Sequence, residues 1–192
     1  MPDHNPAALD FLLTRRSRPA KTLTTPVPDR AALETLLTAA ARTPDHGKLE
    51  PWRFIVLTKP ALARLATMIP ARGAALGIDP DKITKAQDQF AGANLAVAVI
   101  SSPKPSEKVP QIEQVYSAGA VCLSLLNAAL AAGWGANWLS GWASHDRAFV
   151  AGGLQLSDHE TVAGFIHLGT ETSAPPERPR PEMSAITTWM ET

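Results

Sequence analysis

The chain has 192 residues, of which 45% are hydrophobic and 19% charged. That composition suits one globular domain with a sizeable core and excludes a disordered chain. Eighteen Lys plus Arg balance eighteen Asp plus Glu, so no global field attracts nucleic acid or an acidic membrane, and neither is expected as a partner.

The N-terminal stretch Met1 to Asp10 has no basic segment followed by an apolar core, so no signal peptide is expected. A first helix is predicted over Ala7 to Arg15, with Leu9, Leu12 and Leu13 on one face. A Pro- and Thr-rich loop, Pro19 to Pro28, leads to Asp29, which can cap a second helix carrying Leu33, Leu36, Leu37, Ala40 and Ala41. A loop from Thr43 to Pro51 enters a strand over Arg53 to Thr58, and a third helix starts after Pro60. Residues 70–92 are polar and interrupted and read as a helical excursion. Leu95 to Ile100 is a continuous apolar run, which marks a buried strand.

A helix over Ser117 to Ala132 is apolar on nearly every face and must be covered by its own sheet or by a partner. Ser124, Asn127 and glycines interrupt the stretch from Ala118 to Ala136, so it reads as a buried helix rather than a membrane span. Cys122, within it, is the one cysteine. It cannot form an internal disulfide, fits a reducing cytoplasm, and reads as a small core residue without a cation to activate it. Trp134 to Trp142 is a strand or loop with three tryptophans, and His145 or Asp146 opens a short helix. Ser157 with Glu160 resembles a capping box, and Phe165 to Leu168 is the last core strand. The proline-rich tail from Thr170 to Thr192 is too extended to close a monomer and is expected to wrap a neighbour. Strands and helices do not alternate regularly, so an α+β sandwich is expected rather than a doubly wound sheet. Gly133-Trp134-Gly135 follows a helix instead of a strand, which argues against a Rossmann dinucleotide site.

Four segments could carry chemistry. Arg15-Arg16-Ser17-Arg18 offers guanidinium forks and a hydroxyl suited to phosphate; it could equally be cations at a helix C-terminus. His46-Gly47-Lys48, stiffened by Pro44 and Pro51, presents an imidazole and an ammonium beside a core strand, as a ligand loop or a solvated turn. Trp138-Leu139-Ser140-Gly141-Trp142 could offer backbone N–H groups to a flat ligand, although its tryptophans also suit a core or an interface. Ser140 is not in a nucleophile elbow, so hydrolase chemistry is not supported. Arg178-Pro179-Arg180-Pro181 holds two arginines in an extended segment that could clamp a phosphate or decorate a tail. The histidines lack ligand spacing, so no metal is expected.

Further carriers are Ala41 to His46 running into Glu50-Pro51-Trp52-Arg53-Phe54, then Lys108-Val109-Pro110 and Ser117 to Ala120. In order, from about residue 9 to residue 189, the set resembles the nitroreductase family of flavoproteins, closest to its small YdjA-like branch. The resemblance implies a single domain over 1–192 with an α+β fold. Its central, mostly antiparallel sheet would be flanked by helices, and it would form a helix-mediated homodimer whose tail (about 170–192) wraps the partner subunit. It implies one FMN at each end of the interface. Arg15, Arg16 and Ser17 would bind its phosphate and ribityl or the adjoining flavin edge. Arg42, His46 and Lys48 would line its site, Trp138, Leu139, Ser140 and Gly141 would pass beside the ring from the other subunit, and Arg178 and Arg180 would reach the phosphate. The Ala128 to Gly133 stretch is the implied nicotinamide site. Leu139 stands where that branch has an arginine, and Glu50 where a glutamine is usual.

The implied activity is ping-pong hydride transfer from NADH or NADPH to a small electron-poor acceptor such as a nitroaromatic, quinone or enone. Flavin carries the hydride, so no side chain need act as acid or base. Lys48, Arg16 and N–H groups near Ser140-Gly141 would face the negative charge of the reduced ring, each worth about 2–4 kcal/mol of barrier. The rival readings are a flavin-binding protein without coenzyme turnover and a flavin-free helical interaction protein.

Overall fold

Residues 3–192 are described in a computed structural model. In chain order the elements are α1 (Pro6–Thr14), β1 (Leu23–Thr24), α2 (Arg30–Ala40), β2 (Trp52–Thr58), α3 (Lys59–Ala75), α4 (Pro80–Ala91), β3 (Leu95–Ser101), α5 (Gln111–Ala131), β4 (Gly135–Leu139), α6 (Trp142–His145), α7 (Arg147–Leu154), β5 (Thr161–Glu171) and α8 (Met183–Ile186). Single 3₁₀ turns lie at Ala20–Thr22 and His46–Lys48.

β5 organises the sheet. Its residues 165–168 pair with β3 along one edge and β4 along the other, and its end at Thr170 and Glu171 pairs with β1. β2 pairs with β3 and forms the outer edge. Every pair is antiparallel. The pleat sends alternate residues to opposite faces. Ala96, Ala98, Ile100 and Phe165 therefore meet α3, α4 and α7 through Leu62, Leu65, Ile69, Phe90 and Phe149. Val97, Val99, Ile166 and Leu168 meet α2 and α5 through Leu33, Leu36, Val121, Leu125 and Ala129. Helices on both faces explain why β3 is a continuous apolar run although its neighbours are antiparallel: all seven residues are buried.

The α+β class and the buried β3 agree with the sequence, and four details differ. α5 starts at Gln111, six residues before the expected Ser117, because Pro110 fits the position just before a helix, with Glu113 in the first turn. Segment 70–92 is helical as expected, but it holds the end of α3 and all of α4, and α3 runs through Pro70, losing one N–H donor while its inner face stays buried. β5 extends to eleven residues. Glu160 does accept from the Ser157 N–H at 3.0 Å, but a strand follows instead of a helix, so this is a turn and not a capping box. The helix start lies earlier, where Asp146 caps α7 by accepting from Phe149 N–H and takes both forks of Arg72 at 2.7 and 2.9 Å.

α5 is long and apolar enough to cross a membrane by length and composition. Val121, Cys122, Leu125 and Ala129 nevertheless face the sheet, the packing of a core helix. Burial pushes the Cys122 thiol up to about 12, so it is inert at neutral pH.

Glu160 is the other buried carboxylate, held by both forks of Arg53 at 2.6 and 2.8 Å. Chiefly through that contact its pKa falls to about 2. Replacing Arg53 by Leu leaves a buried charge half-partnered, and should cost about 2 kcal/mol in urea unfolding at pH 7. A depressed carboxylate stabilises above its unfolded pKa, so the gap between variant and wild type should close as pH falls from 4.5 toward 2.

Candidate functional site

α1 ends at Arg15, whose ψ of 141° turns the chain into extended backbone. The segment that follows is fixed at three points. Arg18 N–H donates to Ala136 O at 2.8 Å, Arg18 O accepts from Asn137 Nδ2 at 2.7 Å, and Arg18 Nε lies 2.9 Å from Glu171 Oε2. Arg18 is thus committed to the sheet, which leaves Arg15, Arg16 and Ser17 for other work. Arg15 Nη2 donates to Ser17 Oγ at 2.9 Å. Burial, then the positive charges of Arg180 and Arg16, hold the Arg15 guanidinium below its ordinary pKa.

The presence of Arg180 in that set shows that the tail folds back onto the start of the chain. Glu177 steadies it, accepting from Arg178 N–H at 2.9 Å and lying 2.8 Å from Arg180 Nη2. The backbone N–H of Arg178, more than the nearby arginines, keeps Glu177 below the usual carboxylate range. Arg15 Nε and Arg16 Nε are buried without a hydrogen-bond partner. Like charges crowded together with unused donors are what a phosphate would satisfy.

From Pro19 onward the same segment forms one wall of a cleft of about 700 Å³. Pro19, Ala20 and Lys21 face Lys85, Asp88 and Gln89 of α4, and Asn137, Leu139 and His167 close it from the sheet. The cleft therefore begins where the arginine cluster ends.

A second polar group lies on the α5 side. His46 Nδ1 is 2.6 Å from Glu113 Oε2, in a shallow hollow with Tyr116, Ser117 and Ala120. Its loop is strained: Gly47, Lys48 and Glu50 have φ of 75°, 54° and 49°, and only the glycine adopts this readily. Asp45 steadies the turn by accepting from Glu50 N–H at 2.6 Å. Strain of this kind collects at ligand sites.

A model of the Nitroreductase family matches residues 12–170. The chain belongs to the nitroreductase family. It is therefore an oxidoreductase. The chain is similar to the "Putative NAD(P)H nitroreductase YdjA" of Escherichia coli (strain K12), at 33% identity over 163 residues, which cover 85% of this chain and 87% of that protein. A "Putative NAD(P)H nitroreductase" of Haemophilus influenzae is 36% identical over 165 residues, covering 85% and 88%. Among solved structures, a nitroreductase from Desulfovibrio desulfuricans in complex with FMN has a TM-score of 0.75 at 20% identity and 99% coverage of both chains.

In this nitroreductase fold, Arg15, Arg16, Ser17 and Arg180 come together just before the Pro19-Ala20-Lys21 wall of the cleft in the chain, with Arg178 beside them in the tail. Leu139 lines the cleft. Trp138 does not, because the pleat turns it to the opposite face, over Gly164. Ser140 and Gly141 form the bend after β4, where Gly141 N–H donates to Ser144 Oγ at 3.3 Å. Arg42, His46 and Lys48 are not in the cleft lining: Arg42 sits exposed at the end of α2, and the other two belong to the α5 hollow or its loop. Ala128 to Gly133 is the last turn of α5 and its cap. A helix C-terminus presents carbonyls rather than N–H groups, a poor match for a pyrophosphate. Among the described residues no group of three or more His, Cys, Asp and Glu side chains is placed to hold a metal.

Sequence reasoning missed Lys21, Lys85, Asp88, Gln89, Asn137 and His167. Only His167 carried a signal, as an imidazole inside an otherwise apolar core strand. Burial pulls its pKa down to about 4. A base with a lowered folded pKa binds its proton more readily in the unfolded chain. Stability of the ligand-free protein should therefore fall by up to about 3 kcal/mol as pH drops from 6.5 toward 4. Denaturation midpoints across that window should slope for wild type and flatten for His167→Leu.

Proposed function

We propose that this nitroreductase is a homodimeric, FMN-dependent enzyme that takes electrons from NADH or NADPH and passes them to a small electron-poor acceptor. The observation that carries the reading is the cluster of Arg15, Arg16 and Arg180, with the buried unpartnered Nε atoms of Arg15 and Arg16, leading in the chain into the wall of a cleft of about 700 Å³. The FMN complex of the Desulfovibrio protein and the NAD(P)H in the names of the two relatives support it.

Bound FMN supplies the hydride chemistry. The chain's own residues do the rest. Arg15, Arg16, Ser17 and Arg180 hold the phosphate, with Arg178 as a further tail cation. Leu139 and the Pro19-Ala20 wall exclude water from one side of the ring. Lys21 and Lys85 place positive charge along the cleft, where negative charge on a reduced ring needs it. Donor and acceptor use the same opening in turn, which gives ping-pong kinetics. Nitroaromatics, quinones and enones all fit an open, flat site.

A second copy of the chain covers the apolar surface that one copy leaves bare. α1 buries none of its residues, and Leu9, Leu12 and Leu13 are exposed. On α5, Ile112, Tyr116 and Leu123 form an exposed stripe at helical spacing, with open space above Gly119. Met183, Ile186, Trp189 and Met190 are exposed beyond Arg180, so in this reading the tail crosses its own chain as far as Arg180 and its last residues wrap the partner. Arg42, His46, Lys48, Trp138, Ser140 and Gly141 complete the site across the interface. The reducing cytoplasm is the proposed location, in keeping with the lone buried thiol.

Three outcomes test this. The protein with FMN should show a bound-flavin band that bleaches with NADH or NADPH under anaerobic conditions; a band that never bleaches would favour the flavin-binding protein without turnover. Arg16→Ala should weaken FMN binding roughly 10- to 100-fold while leaving riboflavin, which lacks the phosphate, almost unaffected. Leu123→Glu should convert dimer to monomer in analytical ultracentrifugation; a monomeric wild type would refute the dimer.

A further inference from the structure

β5 sends Phe165 and His167 to the same face, and Phe165 completes the aromatic packing with Phe90. One step further along, the core stops. His167 stands directly opposite Ala96 on β3 and Asn137 on β4, and it lines the cleft from the sheet. It is 2% exposed, and neither Nδ1 nor Nε2 has a hydrogen-bond partner. The strands beside it supply none: Ala96 has no polar side chain, and the side-chain hydrogen bond of Asn137 goes to Arg18 O. Gln114, another buried polar side chain, makes three hydrogen bonds to the backbone of its loop. A buried imidazole with both nitrogens idle destabilises a fold, so a ligand that uses it gains where the bare chain loses.

The charged groups facing the cleft are Lys21, Lys85 and Asp88, with Gln89 beside them. None is hydrogen-bonded to the imidazole. A neutral imidazole carries one N–H and one lone pair. It can therefore meet the polar edge of a flat heteroaromatic ring, which carries ring nitrogens and carbonyl oxygens in one plane.

Building on the cofactor reading above, we propose that His167 is a positioning residue for the flavin ring, hydrogen-bonding a polar edge atom within the cleft. It adds direction without charge, in contrast to the arginines that hold the phosphate. Because burial keeps the ring neutral down to about pH 4, this contact is constant across the physiological range.

The test uses the full chain freed of flavin and titrated with FMN, following quenching of flavin fluorescence at pH 7. His167→Leu and His167→Phe should each weaken FMN binding about tenfold, the loss of one buried hydrogen bond. Both should melt, without FMN, at or above the wild-type temperature, since an idle polar group has been removed. His167→Gln, which keeps a donor and an acceptor, should recover most of the affinity. If only one apolar variant folds, that one decides. Wild-type affinity in an apolar variant overturns the proposal. So does a lower melting temperature in the flavin-free apolar variants together with no recovery in His167→Gln, because His167 would then be structural. Failure of the wild type itself to bind FMN is a different result: it removes the cofactor reading, and this inference with it.

Discussion

Both faces of β3 and β5 lie out of water, and most of the molecule follows from that constraint. A two-sided sheet must be covered twice, so α3, α4 and α7 pack on one face while α2 and α5 pack on the other. The register between β5 and its neighbours then decides where each side chain of the central strands can point. Ile166 and Leu168 join the α5 side; Phe165 and His167 join the α4 side. A slip of one residue would exchange the two sets and bring a polar imidazole into the core against α5.

The site grows from the ends of this sheet. β4 and the end of β5 anchor Arg18 through Ala136, Asn137 and Glu171, and that anchor fixes the segment just after Arg15 and Arg16. The returning tail then adds Arg180 to a place where two arginines already stand. Like charges so close repel, and burial adds to the cost; Glu177, 2.8 Å from Arg180, offsets part of it, and in the proposed reading a phosphate offsets the rest. The strained His46 to Glu50 loop is comparable, since its left-handed Lys48 and Glu50 cost stability that a bare loop would have no reason to bear. Strain and repulsion mark both places, which in the proposed reading are two halves of one site.

Those two halves stand apart within one chain, one around the cleft and the other against α5. The apolar surface left bare on α1, α5 and the tail gives the proposed dimer its physical basis. α5 is the shared element: its inner face holds the sheet and its outer face, with Tyr116, Gly119 and Leu123, remains for a second copy.

The sequence by itself determined the class of the fold, because local signals suffice for it. Continuous hydrophobicity marked β3, helical spacing marked α2 and α5, and Asp29 and Asp146 stood at the starts of α2 and α7. Ordered short motifs pointed to the family, and the run Arg15-Arg16-Ser17, proposed as the phosphate site, was legible because its charges lie side by side in the chain. What only the tertiary structure decided was everything that depends on pairing between distant segments. Arg180 reaches Arg15 across most of the chain, Lys85 and Asp88 face Lys21 across the cleft, and Trp138 parts from Leu139 because neighbouring strand residues face opposite ways. The role of His167 could not be read locally, since an imidazole in a core strand becomes informative only when every possible partner around it is known.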